Sequence, residues 1–367
     1  MKTFESLMEE VQKPGLCHHC GGCVTFCTAI NFGALTLSPE GTPRFGDRAK
    51  CIECGICYMI CPEIGELDEE ARKKIGWEPP TGRILEATAS RAADPEIRTL
   101  ATDGGVVTAI LAHLFDEGRI DGAIVTRQAG LFLREPWLAR TRREIVDAAG
   151  FHFDASHGMR LFSEKYSTFA PSVGMLGAMG KAGVRRVAFV GTPCQIKTIR
   201  KMEALSIVPT DSIAYCLGLF CSGNFIFGPA ERERLEHLGG FRWPEVKKIN
   251  VKDALMVHTN SGVTEIPLSE LSFMRRYACR FCDDYAAEYA DISFGGIGSP
   301  EGYTSVIART PLGRAVHSWA RDDGSLEGLP KGEASAAPPA ILEKVAEKSL
   351  AKKKTAAENR RGLTAAH

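Results

Sequence analysis

Eight of the thirteen cysteines in this 367-residue chain fall in two short runs. Cys17, Cys20, Cys23 and Cys27 occupy CHHCGGCVTFC, and Cys51, Cys54, Cys57 and Cys61 repeat the same spacing in CIECGICYMIC. Thiols this dense either pair as disulfides or bind metal, and either choice dictates how the N-terminal segment folds. Disulfide frameworks belong to small secreted domains. This chain is long, 44% hydrophobic and 25% charged, enough to bury a sizeable core in two domains. Its opening residues, MKTFESLMEEVQKPG, form an acidic and basic amphipathic segment without an apolar export signal, and no later stretch nears about eighteen uninterrupted apolar residues. Metal binding inside the cytoplasm is therefore the expectation. Lys plus Arg and Asp plus Glu are equal at 45 each, so no whole-molecule field draws the chain to nucleic acid or to an anionic membrane surface.

A four-iron cubane takes four thiolates from different directions, and three of them two residues apart wrap one corner through a tight loop. C-x2-C-x2-C-x3-C is the bacterial ferredoxin pattern, in which the fourth cysteine crosses to the other cluster. Two copies predict a two-cluster domain, with Cys17, Cys20, Cys23 and Cys61 on one 4Fe-4S cluster and Cys51, Cys54, Cys57 and Cys27 on the other. Gly21, Gly22 and Gly55 let the loops approach the inorganic core. Paired knuckles also bind zinc, but three consecutive steps overfill a tetrahedral site. Pro62 follows the second run as the pattern has it, whereas Thr28 follows the first. Between the runs, ALTLSPEGTPRFG alternates apolar and polar residues about a turn and reads as a hairpin. The expected organisation is an α+β ferredoxin-like domain over residues 1–78, a proline-bearing linker over 79–83, a larger domain over 84–330 and an Ala/Lys-rich tail over 331–367.

In the larger domain, TDGGVVTAILAHLFDEG places Val106, Val107, Ile110, Leu111 and Leu114 on one helical face, with Thr102 or Asp103 as cap and Gly118 as stop. DGAIVTR and VRRVAFVG read as strands, the second running through TPC into the helix QIKTIRKMEAL. The alternation predicts an α/β domain with a mixed sheet. Neither a dinucleotide-binding G-x-G-x-x-G turn nor a phosphate-binding G-x-x-x-x-G-K-[ST] loop is present, and GGIGSPEG precedes a strand, not a helix. The helix start after Gly104 and Gly105 suits an anionic phosphate as well as it suits an ordinary cap. Cys194, Cys216, Cys221, Cys279 and Cys282 remain, and their spacing leaves a third cluster and a zinc knuckle among buried thiols equally open.

Five segments decide more than their spacing does. TDGGVVTAILAHLFDEGRIDGAIV, SEKYSTFAPSVGMLG, VAFVGTPCQI, GLFCSGNF and ACRFCDDYAAEYADISFGGIGSPEGYTSVIART resemble, in order, segments of the family of beta subunits of coenzyme F420-reducing hydrogenase and formate dehydrogenase. The resemblance implies an α/β, mixed-sheet domain that binds FAD and one 4Fe-4S cluster and exchanges a hydride with the deazaflavin F420. It implies Cys194, Cys221, Cys279 and Cys282 as that cluster's ligands and leaves Cys216 as a core thiol. It also implies flavin contacts from Thr102, Gly104, Gly105, Thr108, Lys165, Tyr166 and Thr168, with Ser299 near the flavin or its hydride partner. The N-terminal ferredoxin unit makes the chain most similar to the electron-input subunit of the F420H2 dehydrogenase type.

The expected cofactors are thus three 4Fe-4S clusters and FAD, with coenzyme F420 as substrate and other subunits of a redox complex as electron partners. Any membrane association would be peripheral, through those partners. Lys165, Arg275, Arg276 and Arg309 are candidates for stabilising reduced flavin or the coenzyme's anionic tail. His18 and His19 lie in a cluster loop, where they tune solvent exposure, and no catalytic acid is named. Two other readings are an electron-transfer adaptor of a formate dehydrogenase, hydrogenase or heterodisulfide reductase-like complex without F420 chemistry, and a reductase of a specific organic substrate. The C-terminal PPAILEKVAEKSLAKKKTAAENRRGLTAAH reads either as a partner-docking helix with Ile341, Leu342, Val345 and Leu350 on one side or as a solvated tail. Truncation after Pro338 is expected to spare iron and flavin and to weaken assembly.

Overall fold

The computed structural model describes residues 1–29, 33–38, 41–128, 134–150, 172–176, 179, 182–207, 210–225, 228–251, 254–330, 333 and 337–365. The N-terminal unit is built around its cysteines. Helix α1 (Gly22–Ala29) carries Cys23 and Cys27, and strands β1 (Leu35–Leu37) and β2 (Pro43–Phe45) pair antiparallel in the expected hairpin, Leu35 opposite Phe45. Phe4, Leu7 and Val11 from the chain's start close over Leu35, Tyr58 and the thiols of Cys23, Cys27 and Cys57. The thiols thus sit in an apolar shell, which an iron-sulfur core needs and a solvated thiol does not. Helix α2 (Asp68–Ile75) follows the second run, with acids in its first turn, bases in its last and Gly76 ending it at φ +63°.

The rest of the chain is organised on one mixed sheet. Its strands β3 (Glu86–Ala92), β4 (Gly122–Gln128), β5 (Arg134–Ala139), β6 (Val187–Gly191) and β7 (Ile213–Leu219) come first in the chain. A separate antiparallel sheet of β8 (Val246–Val251), β9 (Ala254–Thr259) and β10 (Val263–Pro267) then intervenes, before β11 (Ile292–Gly295), β12 (Thr304–Ala308) and β13 (Leu326–Gly328) return to the large sheet. The spatial order is β13-β3-β12-β11-β7-β6-β4-β5. The four strands β11, β7, β6 and β4 are mutually parallel, and antiparallel strands flank them on both sides. β6 and β12 are buried along their whole length, which is why VAFVG reads as a continuous apolar run, while β12 buries Thr304 and Ser305 beside its Val306, Ile307 and Ala308.

Side-chain alternation sends the strands' residues to two cores. Val125, Ala188 and Leu217 face helix α3 (Val106–Asp116) and, near the C-terminal edge, Val316 and Ala320 of the helix Pro311–Asp322. Ile124, Phe189 and Cys216 face helix α4 (Pro193–Ala204) on the other side. Phe26, Ile60, Leu67, Ala71 and Ile75 of the N-terminal unit join that second core, so the unit and the sheet bury one continuous apolar surface.

Two helix starts set up the site. α4 begins on a capping box, the Thr192 amide donating to Gln195 Oε1 at 2.9 Å, with Pro193 in the first helical position. α3 is capped by Gly105, not by Thr102 or Asp103, because the turn needs φ +75° and a Cβ there would lie 2.9 Å from Ile97. The last element, helix α5 (Ala337–Ala365), lies back on the sheet: Ile341 and Val345 pack with Ala89, Ile297 and Ile307, and the Gly298 loop approaches so closely that a Cβ would stand 2.6 Å from the Ile341 Cα.

Candidate functional site

Three groups of thiols lie along the seam between the N-terminal unit and the sheet. Burial, then Cys20, Cys17, Cys61 and Cys57, push the Cys23 thiol well up. Burial, then Cys54, Cys27 and Cys51, push Cys57 up to about 12. Burial, then Cys20, Cys282 and Cys221, raise Cys194. These influences put Cys17, Cys20, Cys23 and Cys61 near one another, likewise Cys51, Cys54, Cys57 and Cys27, and likewise Cys194, Cys221, Cys279 and Cys282, while Cys57 also reaches Cys23 and Cys20 also reaches Cys194. Cys216 stands apart, fully buried in β7, with Arg200, Glu203 and Asp291 as its charged neighbours. Thiols gathered in an apolar shell are a donor set suited to a metal core that takes them as thiolates. Among the described residues, no group of three or more His, Cys, Asp or Glu side chains is placed to hold a single metal ion.

The third group is assembled by the sheet. Cys194 opens α4 just beyond β6, and Cys221 lies just beyond β7, its amide bonded to the Tyr285 carbonyl at 2.8 Å. Cys279 sits in the turn Tyr277–Arg280 and accepts from the Asn224 amide at 3.3 Å. Burial opposes a thiolate at Cys279, but His18, the Asn224 amide and Lys352 bring it down to about 7.

The first and third groups touch. Cys20 Sγ is 3.5 Å from Thr198 Oγ1, which donates to the Cys194 carbonyl at 2.9 Å. A Cβ on Gly22 would lie 2.3 Å from the Thr198 methyl, so glycine is what lets α4 dock on the first cysteine loop. His18, 6% exposed, bonds Glu63 at 2.5 Å and the Cys279 thiol, while Arg276 donates to the His18 carbonyl at 3.0 Å. His18 thus bridges two cysteine groups, a role beyond tuning exposure. Its partners are remote in sequence, so no local signal announces it.

Beside the third group, a cavity of about 400 Å³ opens at the carboxyl ends of the parallel strands, the usual ligand crevice of an open α/β sheet. Cys221 belongs both to its wall and to the thiol group. Val190, Leu219, Phe220, Phe225 and Met274 make the wall apolar, and Thr102, Gly105 and Thr108 bring the start of α3 to it. First-turn amides of a helix have no intrahelical acceptor and suit a phosphate. The volume falls within the roughly 300–1,000 Å³ of cofactor pockets. A flat apolar ring with a phosphate at one end fits this lining.

The remaining sequence-derived candidates divide. Gly104 packs its backbone on β3 and β12, where a Cβ would stand 2.7 Å from the Ser90 carbonyl. Ser299 donates to the Gly296 and Tyr303 carbonyls at 3.3 and 3.0 Å and so fixes the loop whose Gly295, Gly296 and Ile297 line the cavity. Lys165, Tyr166 and Thr168 lie outside the described residues. Arg309 is not available to a phosphate. It is 1% exposed and donates to the Thr81, Arg83 and Ala286 carbonyls and to Ser293, clamping the linker to the sheet. The C-terminal segment also corrects an expectation, because α5 packs on its own chain and Lys352 reaches the third cysteine group. Burial disfavours its charge, but Cys282, Cys221, Cys279 and Asp284 outweigh that and raise its pKa. Truncation after Pro338 would uncover those thiols.

Comparison with known proteins gives this arrangement a context. Residues 87–163 and 184–332 match the N-terminal and C-terminal parts of the family described as coenzyme F420 hydrogenase/dehydrogenase, beta subunit, and residues 9–62 match the 4Fe-4S dicluster domain. The coenzyme F420 hydrogenase subunit beta of Methanothermobacter thermautotrophicus is 34% identical over 290 residues, 77% of this chain and 98% of that protein. The chain belongs to the family of coenzyme F420 hydrogenase/dehydrogenase beta subunits. Another relative, a subunit of the F(420)H(2) dehydrogenase of Methanosarcina mazei, is 26% identical over 343 residues, 88% of this chain and 87% of that one. A chain in the F420-reducing [NiFe] hydrogenase complex of Methanosarcina barkeri superposes with a TM-score of 0.65 at 29% identity, covering 77% of this chain and 94% of its own. As an F420 hydrogenase/dehydrogenase beta subunit, the chain carries its dicluster motif at the end of the sheet where Cys194 and Cys221 emerge. Among the described residues no helix is long and apolar enough to cross a membrane.

Proposed function

We propose that this chain exchanges a hydride between coenzyme F420 and FAD held in the cavity, and passes single electrons through three 4Fe-4S clusters to or from a partner protein. The observation that carries the reading is continuity. Cys221 lines the cavity, Cys194 of the same group is linked through Thr198 to Cys20, and Cys23 of the next group packs in one apolar cluster with Cys57. A bound flavin supplies the exchange between paired and single electrons that a hydride carrier and a one-electron cluster both require.

The chain's own groups do the positioning. The first turn of α3, with Thr102 and Thr108, would hold the cofactor's phosphate end, and the apolar wall from Val190 to Met274 would exclude water from its ring. Cys194, Cys221, Cys279 and Cys282 would ligate the third cluster. Cys17, Cys20, Cys23 and Cys61, and Cys51, Cys54, Cys57 and Cys27, would ligate the first and second. Similarity to a subunit of the F(420)H(2) dehydrogenase over 88% of the chain supports work within a multi-subunit complex.

The test is anaerobic turnover by the reconstituted full chain, following deazaflavin absorbance with a one-electron dye. Dye-coupled oxidation of F420H2 is expected. Flavin and iron present without deazaflavin turnover would move the assignment to an electron-transfer adaptor.

A further inference from the structure

Helix α5 sends one cation into the third cysteine group. Lys352 is half-buried, and its Nζ donates to the Cys221 carbonyl at 2.7 Å and to the Asp284 carbonyl at 2.8 Å. Those carbonyls lie on different loops, one leaving β7 and the other following Cys282, so a single ammonium pins the backbone of both. The next turns of α5 close the seam: Asn359 donates to the Arg280 carbonyl at 2.7 Å, and Arg360 donates to the Phe281 carbonyl at 2.9 Å and to Glu63 at 2.7 Å. A neutral donor could hold two carbonyls. Lysine adds a positive charge on the α5 side of the thiols, while Arg276, beside Cys279, Cys194 and Cys17, is tied to the first cysteine loop through the His18 carbonyl.

One-electron reduction of a cluster adds one negative charge to a site shielded from water, where a fixed cation acts with little screening. We propose that Lys352 is a positioning residue that raises the reduction potential of the third cluster, making it the electron sink beside the cavity. The electron would come from the reduced flavin proposed for the cavity, which is oxidised by one electron as the cluster is reduced by one; no bond to the cluster is made or broken, and the ammonium offsets the added charge electrostatically. The inference rests on the third-cluster assignment above.

The test compares the reconstituted full chain with K352M, K352Q and K352R by iron count and by redox titration monitored with electron paramagnetic resonance. The third signal is identified as the one missing in Cys282→Ala. In K352M and K352Q its midpoint should fall by a factor of about ten or more in the reduction equilibrium, ~59 mV for one electron, and K352R should restore it. Glutamine keeps a hydrogen-bond donor, so a fall in K352Q isolates the charge. An unmoved midpoint in both neutral variants with iron intact would overturn the proposal. So would loss of the third cluster's iron in K352Q with retention in K352R, which would make Lys352 an anchor. Wild-type protein with only about eight irons and no third signal would instead remove the third-cluster reading itself.

Discussion

Cys216 and Cys282 look alike in composition and differ in everything their surroundings impose. Cys216 is enclosed in β7 with its amide bonded to Asp291 at 2.8 Å, whereas Cys282 shares the third group with Cys279 and Lys352. Cys216→Ala should therefore keep all iron and cost only ~1 kcal/mol of stability for the small cavity, while Cys282→Ala should lose about four irons. Iron analysis beside a denaturation curve distinguishes them. His317 offers a test of the fold alone. It is 1% exposed, its Nε2 lies 3.1 Å from Ser90 Oγ, and burial and then Arg321 bring it from 6.5 down to about 4, so the ring stays neutral although Glu86 lies 3.7 Å away. A folded value below the unfolded one means the unfolded chain takes up the proton first, so stability falls as pH drops from about 6.5 to 4, by about 3 kcal/mol in all. His317→Gln should flatten that part of the stability profile. At this scale the two N-terminal cysteine runs stood out because their spacing is local, whereas Cys194, Cys221, Cys279 and Cys282 are scattered in sequence and were joined only by the family resemblance. His18 and Lys352 did not stand out, since the thiols they approach come from distant segments.

The junction between α1 and α4 is where two elements depend on one absent side chain. Gly22→Ala would drive a methyl into Thr198 and should cost roughly 1–3 kcal/mol. Thr198→Ser removes the clashing methyl and keeps the hydroxyl that bonds the Cys194 carbonyl. The double variant should recover most of the loss, with a coupling of about 1 kcal/mol or more in a denaturation cycle. The C-terminal helix makes the second prediction at this scale. Truncation after Pro338 should remove about four irons, read by iron analysis, because Lys352, Asn359 and Arg360 leave the third cysteine group with it. The periodicity of TDGGVVTAILAHLFDEG announced a helix, and its start moved because a left-handed turn is a backbone property that polar residues nearby disguised. In the C-terminal helix Ile341 and Val345 are buried, but Leu342 and Leu350 are 36% and 47% exposed. The apolar count suggested a docking stripe, while the face that matters is the one bearing the cations.

For the molecule as a whole, alternating strand and helix signals were enough to expect a mixed α/β sheet. They could not give its order, in which β3 sits between β13 and β12, because pairing across such separations leaves no local trace. Nor could they show that the N-terminal unit shares a core with the sheet, and that sharing is what brings Cys20 to Thr198, one turn from Cys194. The consequence is one succession of thiols in one body, from the cavity to Cys51 and Cys54, which is the route the proposed relay would take. The most direct measurement is rapid freeze-quench electron paramagnetic resonance of the anaerobic, reconstituted chain mixed with F420H2. Signals from three reduced clusters, appearing in proportion to deazaflavin oxidised, are the predicted result. Flavin that is reduced while the clusters stay oxidised would contradict the account.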